Sequence, residues 1–141
     1  VELELDNFYF SSLSDSAIAL LEATEAIQNM NIIIHITERK QWEKAQNSGI
    51  YRTDSLDTEG FIHCSTPKQV IKVANTFFTN QKGLALLYID SDKVQPEIRY
   101  ETVEGNEQFP HIYGALNLDA VFRVAEFEPD EAGLFAFPAD L

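Results

Sequence analysis

This chain is sparing with the residues that carry most protein chemistry. Among 141 residues there are one cysteine, one methionine, one tryptophan and three histidines. A single cysteine, Cys64, excludes an internal disulfide and fits a reducing, cytoplasmic setting. No run reaches the ~20 consecutive apolar residues of a membrane-spanning helix, so no membrane partner is expected. The first residues bring Glu2, Glu4 and Asp6 without a base, the reverse of a secretory signal's basic start. Bases are scarce throughout: 10 Lys and Arg face 23 Asp and Glu, leaving a net charge of −13. A field of that sign repels nucleic acid backbones, which are bound chiefly through Lys and Arg. With six glycines and no Gly-rich phosphate loop, neither the dinucleotide fingerprint nor the nucleotide-triphosphate loop applies.

What is present has an order. Residues 1–29 hold six acids and no base, and Met30 stands directly before the apolar run Asn31-Ile32-Ile33-Ile34-His35-Ile36. Residues 1–29 therefore read as an acidic extension, partly helical and capped at Ser14, Asp15 or Ser16, which offers a route to self-association. Residues 30–141 read as one domain, long enough to bury a core without staples. In it, 31–36 is a β-branched strand and Thr37 an N-cap for a helix over 38–47 that closes at Gly49. Gly60 opens a strand over 61–65, and Thr66-Pro67 starts a helix with Val70, Val73, Ala74, Phe77 and Phe78 in one stripe. Strands follow at Leu84–Ile89, 98–101 and 121–128, and Phe135 and Phe137 close the core. Short strands with two main helices predict an α+β domain.

Each histidine sits in an apolar, turn-bounded phrase: Ile34-His35-Ile36-Thr37, Gly60-Phe61-Ile62-His63-Cys64-Ser65 and Phe109-Pro110-His111-Ile112-Tyr113-Gly114. Alternation along a strand puts His35 with Thr37 on one face and His63 with Ser65 on another. The same rule turns Cys64 away from His63, against a Cys–His nucleophile pair, which needs mutual hydrogen-bond reach. Pro110 and Gly114 bracket His111 and Tyr113 in what reads as a rigid loop. Upstream, Arg99 and Glu101 share a strand face, the first suited to clamping a phosphate or carboxylate, the second to orienting a hydroxyl or acting as a base. A core histidine satisfied locally, or a solvated ion pair on a strand edge, explains each residue singly. Together the three phrases point to a shared pocket. Three histidines are also a catalytic zinc set, but no pair has the close spacing usual for such sites and no acid neighbours them, so no metal is expected.

From Met30 to about Pro138 the chain resembles domain-of-unknown-function family 952. The resemblance rests on His35-Ile36-Thr37, Trp42, Gly49-Ile50-Tyr51, Ser55-Leu56, the Gly60–Ser65 phrase, Val73-Ala74-Asn75, Ile89-Asp90, Arg99-Tyr100-Glu101 and the stretch from Phe109 to Leu118. It implies an ADP-ribosyltransferase-like fold: a split, bent antiparallel or mixed sheet with two main helices and a cleft for NAD or a related nucleotide. In such a cleft His35 would contact the adenine-side ribose, His63 and Ser65 the nicotinamide end, and His111 or Glu101 would complete the site. The expected roles are catalytic for His63, His111 and Glu101, and ligand-binding for His35, Thr37, Ser65, Arg99 and Tyr113. The chemistry implied is transfer of ADP-ribose or of a phosphate. A non-catalytic module binding a small ligand or a protein, and a three-histidine metal-dependent hydrolase, are the alternatives.

Overall fold

The structure is a computed structural model that describes residues 14–28, 31–103 and 105–138. The chain forms two compact units, Val1–Met30 and Asn31–Leu141. In the first, the described part is helix α1 (Asp15–Gln28), whose N-terminus is capped by the Ser14 hydroxyl accepting the Ala17 N–H at 3.2 Å.

The second unit is α+β, with every strand pairing antiparallel. Strands β1 (Ile32–Glu38), β4 (Leu84–Asp90) and β8 (Val121–Phe127) form one sheet in the order β1-β4-β8. Strands β3 (Ile62–His63), β5 (Glu97–Thr102) and β6 (Gln108–Tyr113) form another, ordered β3-β6-β5. A two-residue ladder joins β2 (Ile50–Tyr51) to β7 (Leu116–Asn117). The helices are α2 (Arg39–Ser48), the single turn α3 (Asp54–Thr58) and α4 (Val70–Phe77).

The central strand β4 is buried along its whole length because both its faces are covered. Leu84, Leu86 and Tyr88 turn towards Val70 and Ala74 of α4, and Leu87 and Ile89 turn towards Trp42 and Ala45 of α2 with Ile62 and Ile112 of the second sheet. An uninterrupted apolar run is what such a strand requires. Phe135 is buried and stacks on Phe127 with ring centroids 4.6 Å apart.

Several local expectations are corrected. The N-cap of α2 is Glu38, which makes no side-chain cap bond; the Thr37 hydroxyl is drawn instead into a buried cluster described below. Thr66 and Pro67 initiate a turn, in which the Thr66 carbonyl accepts the N–H groups of Gln69 and Val70, and the helix begins only at Val70. Phe137 is exposed, so it does not close the core. The Phe109–Gly114 phrase is no loop: Gln108–Tyr113 is the middle strand of its sheet. Proline is tolerated there because the ladder with β3 ends at His63 and His111. The Pro110 carbonyl accepts the Cys64 N–H at 3.0 Å, and a strand residue's N–H and C=O point to the same side. The missing donor thus faces the place where β3 has stopped.

That early stop shapes the molecule. β1 pairs with β4 on one edge, while its other edge meets residue 65 through a single bridge, Ile34↔Ser65. The two sheets splay apart from this point.

Candidate functional site

The splayed edge opens a cleft of about 560 Å³, walled by both faces of β1 and by residues 63–65, α4 and β6. His35, Thr37, His63, Ser65 and His111 all line it. The three histidines do converge. Cys64 lines it too, against the expectation from strand alternation. The reason is that β3 is only two residues long, so regular alternation ends at His63. Cys64 is nevertheless a poor nucleophile, since burial pushes its thiol well above the ordinary range.

His35 is 6% exposed and has both ring nitrogens engaged. Nδ1 lies 2.5 Å from the His63 carbonyl oxygen and Nε2 lies 2.7 Å from the Tyr51 hydroxyl. A carbonyl can only accept, so Nδ1 carries a hydrogen. Burial, partly offset by that carbonyl bond, lowers the pKa of His35 to about 4. Near neutral pH the ring is therefore uncharged and Nε2 accepts the Tyr51 O–H. The Tyr51 hydroxyl also faces Thr37 Oγ1, which accepts from it at 2.7 Å, so its hydrogen lies between two acceptors. Thr37 donates in turn to the Glu38 carbonyl 3.4 Å away, and a second proton on the ring would let Nε2–H donate to Tyr51, leaving the Tyr51 O–H to Thr37 alone. Burial raises the Tyr51 phenol above its ordinary range, so this hydroxyl keeps its hydrogen.

His63 is half-exposed at the rim. Its Nε2 meets Glu59 Oε2 at 2.8 Å, across one turn of chain. An acid does therefore neighbour a histidine, a contact the sequence reading missed although the four-residue spacing was visible.

His111 is 3% exposed and has the opposite balance from His35. Its Nδ1 lies 2.9 Å from Glu101 Oε1, which also accepts a short hydrogen bond from the Tyr113 hydroxyl. These two bonds, Tyr113 first, hold the Glu101 carboxyl below the usual carboxylate range. An ionised carboxylate only accepts, so the hydrogen of a neutral His111 ring sits on Nδ1 and Nε2 presents a lone pair. That Nε2 is buried and has no hydrogen-bond partner. Phe61 stacks on the imidazole, centroids 4.0 Å apart and planes at 16°, and fixes the ring's orientation. The His63 ring lies edge-on, 5.4 Å away.

Glu101, Arg99 and Tyr113 do not line the cleft. They stand in a row behind His111. The Arg99 guanidinium lies 4.3 Å over the Tyr113 ring and pairs with Glu97, Nε to Oε1 at 3.0 Å. Tyr51 also lines the cleft, and Phe61, outside its lining, packs against His111; in the sequence Tyr51 was legible only as part of Gly49-Ile50-Tyr51, and Phe61 only as part of the Gly60–Ser65 phrase. A metal bound by three histidines would need one free nitrogen from each, and His35 has none. Among the described residues no group of three or more His, Cys, Asp and Glu is arranged to hold a metal ion. Among them, too, no helix is long and apolar enough to cross a membrane.

Residues 36–124, the segment that carries every site residue except His35, match the family described as Protein of unknown function (DUF952). This chain belongs to the DUF952 family. No curated protein matches it. The crystal structure of protein CC0527 from Caulobacter crescentus is similar, with 28% identity and a TM-score of 0.70, over 75% of this chain and 94% of that one. The solution NMR structure of CC0527 gives 29% identity and a TM-score of 0.66, over 74% and 91% of the two chains. The DUF952 segment thus spans both walls of the cleft, from the end of β1 to the middle of β8.

Proposed function

We propose that the cleft along the free edge of β1 takes the nicotinamide–ribose end of NAD or a related nucleotide, in the manner of ADP-ribosyltransferase-like proteins. The observation that carries this reading is the lone pair of His111 Nε2, buried and unpartnered on a side chain that lines the cleft. An unsatisfied buried acceptor costs about 1–3 kcal/mol, which a donor on the ligand would recover. A ribose offers such hydroxyl donors. The volume of about 560 Å³ lies within the range of small-molecule sites. Val73, Phe77 and Phe78 make part of the lining apolar, and Phe77 is largely exposed.

Charge selects among the possible chemistries. Glu38 and Asp54 line the cleft, and no Lys or Arg does. Phosphoryl transfer depends on cations around the moving phosphoryl group, so ribosyl transfer is the better fit. In that reaction the bond between the ribose carbon and the pyridinium nitrogen breaks, and its electron pair leaves with neutral nicotinamide. A water or hydroxyl oxygen bonds to the carbon, and the oxygen's proton passes to His111 Nε2. Glu101 holds the ring and offsets the imidazolium charge, the role of a carboxylate behind a general base. In this reading Glu101 is a positioning residue.

A histidine-resolved NMR titration with NAD tests the binding, and nicotinamide release on incubation tests the chemistry. Saturating shifts of all three imidazoles, with release lost in His111→Gln, support the reading. Three imidazoles that stay unmoved overturn it.

A further inference from the structure

A second groove, of about 550 Å³, lies along the outer side of α2. Gln41, Lys44 and Ser48 of the helix line it, together with Ile50 and Arg52. Gln41 lines the main cleft as well, so the two spaces share a wall. Its Nε2 donates to the Arg52 carbonyl at 3.1 Å, which stands the side chain between them. Residues 41, 44 and 48 lie on one helical face, and the groove therefore runs about 10 Å from Gln41 along the helix.

The groove has the charge that the cleft lacks. Lys44 and Arg52 line it and no acid does, in a chain with only 10 bases against 23 acids. Lys44 has no ion pair among the described residues. Arg52 reaches Asp57 Oδ1 only at 3.4 Å, with both side chains more than half exposed. Exposed pairs of that kind are weak, so an incoming anion would displace this one readily. Arg39, by contrast, is committed to Glu126 and Glu128.

We propose that this groove is an anion subsite adjoining the cleft at Gln41, and that it takes the diphosphate of a dinucleotide whose nicotinamide–ribose end occupies the cleft. The inference rests on the reading of the cleft proposed above. It answers that reading's chief electrostatic demand, since a ligand carrying a diphosphate needs cations within reach of a cleft that has none.

The test compares two ligands, NAD and nicotinamide riboside, which has no phosphate, on the full chain and on its Lys44→Glu/Arg52→Glu variant. Calorimetric titrations at low and high salt measure the affinities. The expected result is NAD binding weakened by about tenfold or more in the variant, by loss of charge-assisted contacts. Riboside binding should be unchanged. NAD affinity should fall with salt in the unaltered chain and lose most of that dependence in the variant. If both ligands bind and the variant affects neither, or weakens both equally, the subsite is overturned while the cleft reading stands. If neither ligand binds the unaltered chain, the cleft reading fails and the subsite fails with it.

Discussion

Burying His35 uncharged makes the protein's stability depend on pH in a window that can be isolated. The ring titrates at about 4 in the folded chain against 6.5 in an ordinary setting. Between those values the unfolded chain holds a proton on this residue that the folded chain refuses. Stability rises with pH wherever the unfolded state binds more protons, so His35 removes stability as pH falls from 6.5 towards 4, and nothing further below that. A difference of this size is worth about 3 kcal/mol in all, at about 1.4 kcal/mol per pH unit. The perturbation is His35→Asn, whose amide can still donate to the His63 carbonyl but does not titrate. At pH 7 the variant should be less stable by about 1–3 kcal/mol, through the lost Tyr51 bond and imperfect packing. Its deficit should shrink steadily on acidification. Urea unfolding gives the assay, followed by fluorescence of the sole tryptophan, Trp42, which is buried beside Tyr51 with ring centroids 6.3 Å apart. The difference between the two proteins cancels every other titrating group they share. Glu101 acts in a different window: its folded pKa is lowered, so its contribution is lost only as pH falls below the ordinary carboxylate value of 4.5. Parallel stability curves for the two proteins between pH 6.5 and 4.5 would refute the buried, neutral assignment of His35.

Three further outcomes follow from the same contacts. Tyr51→Phe removes the hydroxyl that joins His35 to Thr37 and should cost about 1–3 kcal/mol in urea unfolding, with the His35 Nε2 resonance moving on loss of its donor. Glu101→Gln removes the charge that fixes the hydrogen of His111 on Nδ1; nitrogen-15 spectra of the ring should show a changed tautomer balance. If nicotinamide release occurs, kcat should fall by about 10²-fold or more while KM for NAD changes little. Gly133→Ala places a methyl 2.0 Å from Asn80 Oδ1 at a backbone φ of 82°, and should lower thermal stability by about 1–2 kcal/mol, with the three histidine rings of the cleft unaffected in the NMR spectrum.

The long elements were legible because their patterns are driven by burial. The uninterrupted apolar run Leu84–Ile89 can only be a covered strand, and Val70 and Ala74 mark the buried face of α4. The failures share a cause: tertiary partners outbid local propensity. Thr37 is a good cap residue by type, yet Tyr51 supplies a buried partner that a cap would forgo. Pro67 suits a first helical turn, but the Gln69 side chain folds back on the Thr66 N–H at 3.0 Å and reaches the Gln108 carbonyl at 2.7 Å, delaying the helix. Pro110 and Gly114 read as the brackets of a rigid loop, and the premature end of β3 is what lets proline stand in a middle strand instead. In the cleft, the pairing of His35 with Thr37 followed from strand alternation, whereas Ser65 joins His63 from beyond the end of β3, where alternation has stopped. The carboxylate partners did not follow from alternation. Glu59 reaches His63 across the bend at Gly60, and Glu101 reaches His111 diagonally across a ladder in which Phe109, not His111, is its direct partner.

The same side chain carries two different meanings in this cleft, and hydrogen-bond accounting separates them. His35 has a donor and an acceptor to satisfy and meets both inside the protein, so its ring can be explained by structure alone. It braces β1 against the start of the 63–65 segment and locks Tyr51 into the wall. His111 is buried just as deeply, but one of its nitrogens is left without a partner while the other is held by a carboxylate. Native proteins rarely leave such atoms unpaired, and those that do so at the wall of a cleft put the deficit where a ligand can relieve it. An identical residue type, in strands of similar burial, is thus fully satisfied in one place and one partner short in the other. Apolar context could not tell them apart, because both phrases are apolar. The distinction lies in what stands opposite each nitrogen, and it is why the proposed reading turns on His111 rather than on His35.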